Sequence, residues 1–141
     1  MDSLTFVPGR AFLSSDSPTV PWTVVFEDEG AADYFYACDR SFTTLEESIL
    51  DAMLIYHVGT PLTSSGEPGE RLAAVQWSRD GLQAVLYLDG VPQALFDFAE
   101  RRGYCRMNFP NFAPDGSDVW NRSNHSWSEA AIEEFEAALY A

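Results

Sequence analysis

A few residue types in this 141-residue sequence do chemistry as well as pack: two histidines, two cysteines, a group of arginines beside a tyrosine, and one dense run of acids. His57 and His125 lie far apart, and neither has a second ligand at the spacing a bound metal needs; no HxxxH or CxxC string occurs. No metal site and no cofactor are expected. Cys105 sits in RRGYCR, where neighbouring guanidinium groups favour a thiolate, with His57 as a conceivable base. No local signature of a thiol enzyme surrounds it, so packing is the preferred reading and no catalytic residue is assigned. Cys38 and Cys105 are too few and too distant to build a disulfide framework. Two reduced, buried thiols are favoured, with a long-range bridge left open.

Two further clusters address charged partners. Arg101, Arg102 and Arg106 with Tyr104 could cradle an anionic small ligand, tyrosine stacking beside the guanidiniums. The competing and preferred reading pairs these arginines with carboxylates, which outnumber them everywhere in the chain. Glu27, Asp28, Glu29 and Asp33 form the densest acidic group; their spacing lacks the D-x-D-x-D-G pattern of a calcium loop. They read either as a solvated loop tip or as a contact surface for a basic protein. Trp120 and Trp127 flank a polar loop that contains His125, and they read equally as partner anchors or as core.

The whole-chain charge sharpens that choice. Twenty-two acids oppose eight bases for a formal net charge of −14, so the chain repels nucleic acid and anionic lipid and attracts basic partners. Plain solubility is the competing explanation. All eight bases are arginine, a bias that points to a GC-rich bacterial genome rather than to protein physics. The length suits a single domain over residues 1–141, and 46% hydrophobic content with 20 aromatic residues is ample for a packed core. No apolar run is long enough to span a bilayer, and MDSLTFVPGR is unlike a signal peptide, so the cytoplasm is the expected compartment.

The elements that must position these groups follow from periodicity. Trp22–Phe26 and Tyr34–Cys38 alternate with period two and read as an antiparallel hairpin, with the four acids at its tip. Leu4–Leu13 adds one or two short edge strands broken at Pro8-Gly9. Thr43 and Glu46 resemble a capping box, and residues 45–58 read as a helical turn followed by a strand, although a helix fits the same residues. Residues 59–71 are an exposed Gly/Pro/Ser-rich loop. Leu72–Ser78, Leu82–Leu88 and Val91–Phe98, separated by Asp80-Gly81 and Asp89-Gly90, form a three-stranded meander with Trp77, Leu86 and Phe96 buried. Pro92 places the start of the last strand at an edge, and Arg101–Tyr104 reads as a turn after it. Ser126 and Glu129 cap a C-terminal helix whose stripe of Ile132, Phe135 and Leu139 packs on the sheet. The expected fold class is α+β.

The strings VVFEDEG then YFYA, ILDA then IY, WSRDG, FDF, and RGYCR then FP run in order from Val24 to Pro110. In this they resemble a bacterial family known as domain of unknown function 2251. The resemblance implies a small bacterial cytoplasmic protein and brings no catalytic residue with it. Small acidic proteins of that kind frequently act as immunity partners of secreted toxins. The functional expectation is therefore a non-enzymatic immunity protein, monomeric or weakly dimeric, that neutralises a cognate toxin with a basic surface. The alternative is a small anionic-ligand or enzymatic domain built on Arg101, Arg102, Tyr104 and Arg106.

Overall fold

Nearly every apolar run in this chain is too short for a helix and alternates, and the backbone resolves that pattern into nine strands among the described residues. The computed structural model describes residues 1–30, 32–55, 69–112 and 120–140. Strands β1 (Asp2–Phe6) and β2 (Ala11–Asp16) flank Pro8-Gly9, and β3 (Trp22–Asp28) and β4 (Asp33–Asp39) form the expected hairpin. A single helical turn, α1 (Leu45–Ser48), leads straight into β5 (Ile49–Ile55). Strands β6 (Arg71–Trp77), β7 (Gln83–Leu88), β8 (Val91–Asp97) and β9 (Arg102–Cys105) follow, and the chain closes with helix α2 (Glu129–Leu139).

All neighbouring strands are antiparallel. They form a five-stranded sheet in the order β1-β6-β7-β8-β9 and a four-stranded sheet in the order β2-β3-β4-β5. With α2 this makes an α+β fold. The two sheets share one apolar core: Val24, Phe26, Phe35, Ala37 and Met53 from one side meet Val75, Leu86, Ala94, Phe96 and Phe98 from the other. Phe35 stacks on Phe96 across the sandwich at 5.1 Å between ring centroids. Arrangements of this kind add to the area term of burial.

The meander continues further than its sequence pattern announces. Its turns lie at Asp80-Gly81 and Asp89-Gly90 as expected, and both Asp89 (φ 52°) and Gly90 (φ 80°) take the left-handed conformation of a tight hairpin turn. Two readings need correction. Arg102–Cys105 is a strand and not a turn; the turn falls at Phe98–Arg101, where Arg101 adopts φ 57°. Four residues containing glycine are too short to show a period, yet Gly103 is required, because a Cβ there would lie 2.7 Å from Met53 Sδ and 2.8 Å from Phe96 Cε1. Trp77 is half-buried rather than buried, and its indole N–H donates to the enclosed Ser15 Oγ at 2.9 Å. Pro92 lies beside a β-bulge at Leu86/Tyr87, and β9 pairs with β8 only from Ala94 onward, so the ring occupies the stretch where no ladder bond is needed.

Both helix caps shift from their expected residues. Thr44, not Thr43, is the N-cap of α1 and accepts from Glu47 N; Ser128, not Ser126, caps α2 and accepts from Ala131 N. Ser126 instead bonds Asn124, its backbone N–H donating to Oδ1 at 2.9 Å. The stripe of α2 lands as anticipated, with Ile132 and Phe135 buried against Val85 and Leu95 on the outer face of the five-stranded sheet. Tyr87, Tyr104, Trp127 and Leu139 border that contact. Within the segment 45–58, residues 56–58 lie outside the described residues, as do positions 59–68 of the expected loop; that loop ends at Glu70, because Arg71 already belongs to β6.

Candidate functional site

The four acids of the β3–β4 hairpin do not stay together. Glu27 is half-buried and Glu29 exposed, but Asp28 and Asp33 are enclosed at 1% and 0% exposure. The cause is register: Asp28 and Asp33 are direct partners in the β3–β4 ladder and sit on its inner side. Asp28 accepts from Gly9 N at 3.0 Å and from Gly30 N at 2.7 Å. Asp33 retains its proton. Burial, followed by the hydrogen bond and charge of Asp28, pushes its carboxyl up to about 8, with the Arg71 charge acting in the opposite sense. These two aspartates are therefore structural, and the hairpin's contribution to the surface is Glu27 and Glu29.

What accompanies Glu27 on the surface is set by the same register. Phe12 opposes Glu27, Glu27 opposes Tyr34, and Tyr34 opposes Leu54, so one row crosses all four strands on the outer face. The adjacent row is Ser14, Val25, Tyr36 and Ala52. Tyr34 and Tyr36 stack with ring centroids 6.0 Å apart, and the Tyr36 hydroxyl donates to Glu27 Oε1 at 3.1 Å. Burial, then Glu27, raises the Tyr36 phenol, so it stays a neutral donor. Phe12 is 62% exposed. Beyond Leu54, its backbone N–H donates to Phe109 O at 2.9 Å, which brings the exposed Phe109 to the end of the row. Beside Phe12 and the acids, Gly9, Arg10, Ala11, Phe12, Glu27, Asp28 and Glu29 line an open cleft of about 670 Å³. Among the described residues no hydrophobic cluster forms over this face, whereas α2 covers its counterpart on the other sheet.

Sequence periodicity missed this face because β4 is apolar on both sides: Phe35 and Ala37 enter the core while Tyr34 and Tyr36 point out. The available signal was chemical, since a tyrosine hydroxyl favours the wetter side of a strand.

The remaining candidates are held by structural partners. Trp120 is core, packing edge-on against Phe96 and Phe98. Trp127 is half-buried, with the Arg106 guanidinium 4.3 Å over its ring and its own N–H donating to Glu129 Oε1 at 2.7 Å. Arg106 also donates from Nε to Pro92 O at 2.8 Å, and Arg102 lies over Tyr104 at 4.0 Å. Arg101 is exposed at the turn. Arg102 and Arg106 each lie over an aromatic ring, Arg102 Nε being buried without a hydrogen-bond partner among the described residues, and Arg101 stands apart at the exposed turn.

A pair that sequence spacing could not reveal sits nearby. His125 Nε2 lies 2.7 Å from Asp51 Oδ2, both side chains fully enclosed, across a separation of 74 residues. His125 Nδ1 faces Asn111 Oδ1 at 3.1 Å, and the His125 backbone N–H reaches Asn108 Oδ1 and Asn111 Oδ1, both at 3.0 Å. Both ring nitrogens are engaged, by Asn111 and Asp51, so neither is directed at Cys105, whose backbone N–H donates to His125 O. Burial pushes the Cys105 thiol up, and Cys38 likewise to about 11; both cysteines are free and buried. His57 lies outside the described residues. Among the described residues no group of acids, histidines and cysteines has the geometry to hold a metal ion.

Comparison with known proteins finds a match over residues 6–136 to the family described as "Uncharacterized protein conserved in bacteria (DUF2251)". An uncharacterized protein of Haemophilus influenzae (strain ATCC 51907 / DSM 11121 / KW20 / Rd) is 35% identical over 101 residues, 72% of this chain and 58% of the relative. The matched region thus spans less than two thirds of that relative's length. No solved structure matches. Among the described residues no helix is long and apolar enough to cross a membrane.

Proposed function

The chain belongs to that bacterial family, DUF2251, and we propose, from its acidic surface, that it is a protein-binding domain, an immunity protein that neutralises a toxin by covering a basic surface on it. One observation carries the reading: after the buried and arginine-paired acids are set aside, an excess of glutamates is displayed outward. Arg40–Asp16, Arg71–Asp89 and Arg106–Glu129 pair, while Glu29, Glu46, Glu47, Glu133 and Glu134 face solvent. Toxins that act on nucleic acid or nucleotides carry basic clefts, and an acidic inhibitor both occludes such a cleft and speeds encounter with it. The anion-binding alternative is less well supported, because Arg102 and Arg106 already stack on Tyr104 and Trp127.

Co-expression with a toxin encoded beside this gene is the direct test. The wild type should restore growth, and association of the purified pair should slow steeply as salt shortens the screening length to about 8 Å at physiological strength. A neighbouring toxin that remains lethal in the presence of this protein refutes the reading.

A further inference from the structure

We infer that the partner docks on the outer face of the four-stranded sheet, and that this face takes guanidinium groups, stacked on Tyr34 and Tyr36 and paired with Glu27 and Glu29. The inference rests on the proposed binding of a basic protein and names where, and by what chemistry, that binding occurs. Four features of the face support it. The tyrosine rings are half-buried, stacked on one another, and held by the Tyr36–Glu27 hydrogen bond, so they present π-surface at little conformational cost. Carboxylates stand beside those rings and not at a distance, the arrangement that suits a planar cation able to stack and to donate at once. Exposed Phe12 and Phe109 close the row at its two ends, giving apolar ground for the hydrocarbon stems of long basic side chains. And the cleft lined by Arg10, Phe12, Glu27 and Glu29 offers depth at one end of an otherwise flat sheet.

Magnitude decides what part of an interface this can be. Four strands at about 4.8 Å spacing and two rows about 7 Å apart cover on the order of 200 Å². A stable protein interface buries about 800 Å² on each partner. The two rows are therefore the energetic centre of a larger contact, the place where a few aromatic side chains dominate affinity, and the scattered exposed acids of α1 and α2 act in steering. Charge complementarity selects a cationic protein as the occupant. A second copy of a chain with net charge −14 would bring like charges together on the same face.

An acetylated, amidated arginine hexapeptide serves as the probe, followed by amide chemical shifts of the isotopically labelled protein. The perturbed amides should concentrate on β2 to β5, around Phe12, Glu27, Tyr34, Tyr36 and Leu54. Tyr34→Ala with Tyr36→Ala should weaken the peptide about tenfold. Glu27→Gln with Glu29→Gln, which leaves packing intact, should weaken it as well, and Glu133→Gln with Glu134→Gln on α2 should not. Perturbation centred on α2, equal losses in the α2 variant, or no peptide binding at all overturns the inference. The two proposals fail separately: rescue from a toxin without a peptide footprint on this sheet sinks the docking face alone, and a footprint here without rescue sinks the toxin reading alone.

Discussion

Asp33→Asn isolates a buried proton with a direct thermodynamic signature. Asp28, held by the Gly9 and Gly30 backbone N–H groups, faces the Asp33 carboxyl, which burial and then the hydrogen bond and charge of Asp28 push up to about 8. In the unfolded chain the same group titrates near 3.9. Between those values the folded state binds one proton more than the unfolded state, so stability falls as pH rises, at up to about 1.4 kcal/mol per pH unit. The contribution is complete below about pH 4 and is lost as pH passes through about 8. From pH 6 to pH 8 the loss comes to about 2 kcal/mol, less than two full units' worth because the folded group is itself half-ionised at the upper limit. Asparagine preserves the size and can donate to Asp28, but it does not titrate. Urea unfolding at half-unit pH steps on both proteins gives the difference in stability, in which the histidines, common to both, cancel. The Asn variant should gain on the wild type by about 2 kcal/mol across this window. A difference that stays flat from pH 6 to pH 8 would mean Asp33 is already ionised in the fold, and the assignment of the proton to Asp33 would be wrong.

Other elements give equally direct outcomes. Phe135→Ala removes a side chain 1% exposed under α2 and should cost about 3–5 kcal/mol, read as a lowered urea midpoint; an unchanged midpoint would mean the helix does not dock. Asp51→Ala leaves the enclosed His125 Nε2 without its hydrogen-bond partner and should cost about 1–3 kcal/mol, with faster amide exchange across 105–112. Gly103→Ala forces a methyl group against Met53 and Phe96 and should cost about 1–3 kcal/mol by thermal unfolding.

The parts of this fold that are legible in sequence are those set by local rules. Asp89-Gly90 announces its turn because the backbone there requires positive φ, and the stripe Ile132, Phe135 declares which side of α2 is buried. Illegible features depend on register or on distance. A one-residue difference in which face of β4 turns inward exchanges Tyr34 and Tyr36 for Phe35 and Ala37, and both sets are apolar enough to pass as core. The inward placement of Asp28 and Asp33 runs against the prior that acids are solvated, and it becomes intelligible only once Gly9, from a different loop, supplies an N–H. Asp51 and His125 lie too far apart along the chain for spacing to couple them.

Those same two buried polar contacts bracket the tyrosine rows. Asp28 ties the Pro8-Gly9 corner to the β3–β4 hairpin at the edge near Phe12. At the opposite edge, Asp51 on β5 holds His125, which holds Asn108 and Asn111, and these residues flank Phe109, whose carbonyl accepts from Leu54. Buried polar pairs of this kind add little net stability over apolar packing of equal volume, and their value lies in fixing one arrangement. Here the arrangement they fix is the position of the exposed Phe12 and Phe109 relative to Tyr34 and Tyr36. For a docking face this matters more than extra stability would, because side chains already held in place lose little freedom when a partner arrives. Loosening either pin should accordingly weaken binding even where every contacting residue is unchanged. Asp51→Asn, which retains the shape of the side chain but removes its charge, should therefore reduce affinity for the arginine hexapeptide through a wider spread of Phe109 positions. Equal affinity in that variant, with faster amide exchange at Phe109, would show that the face does not depend on its pins.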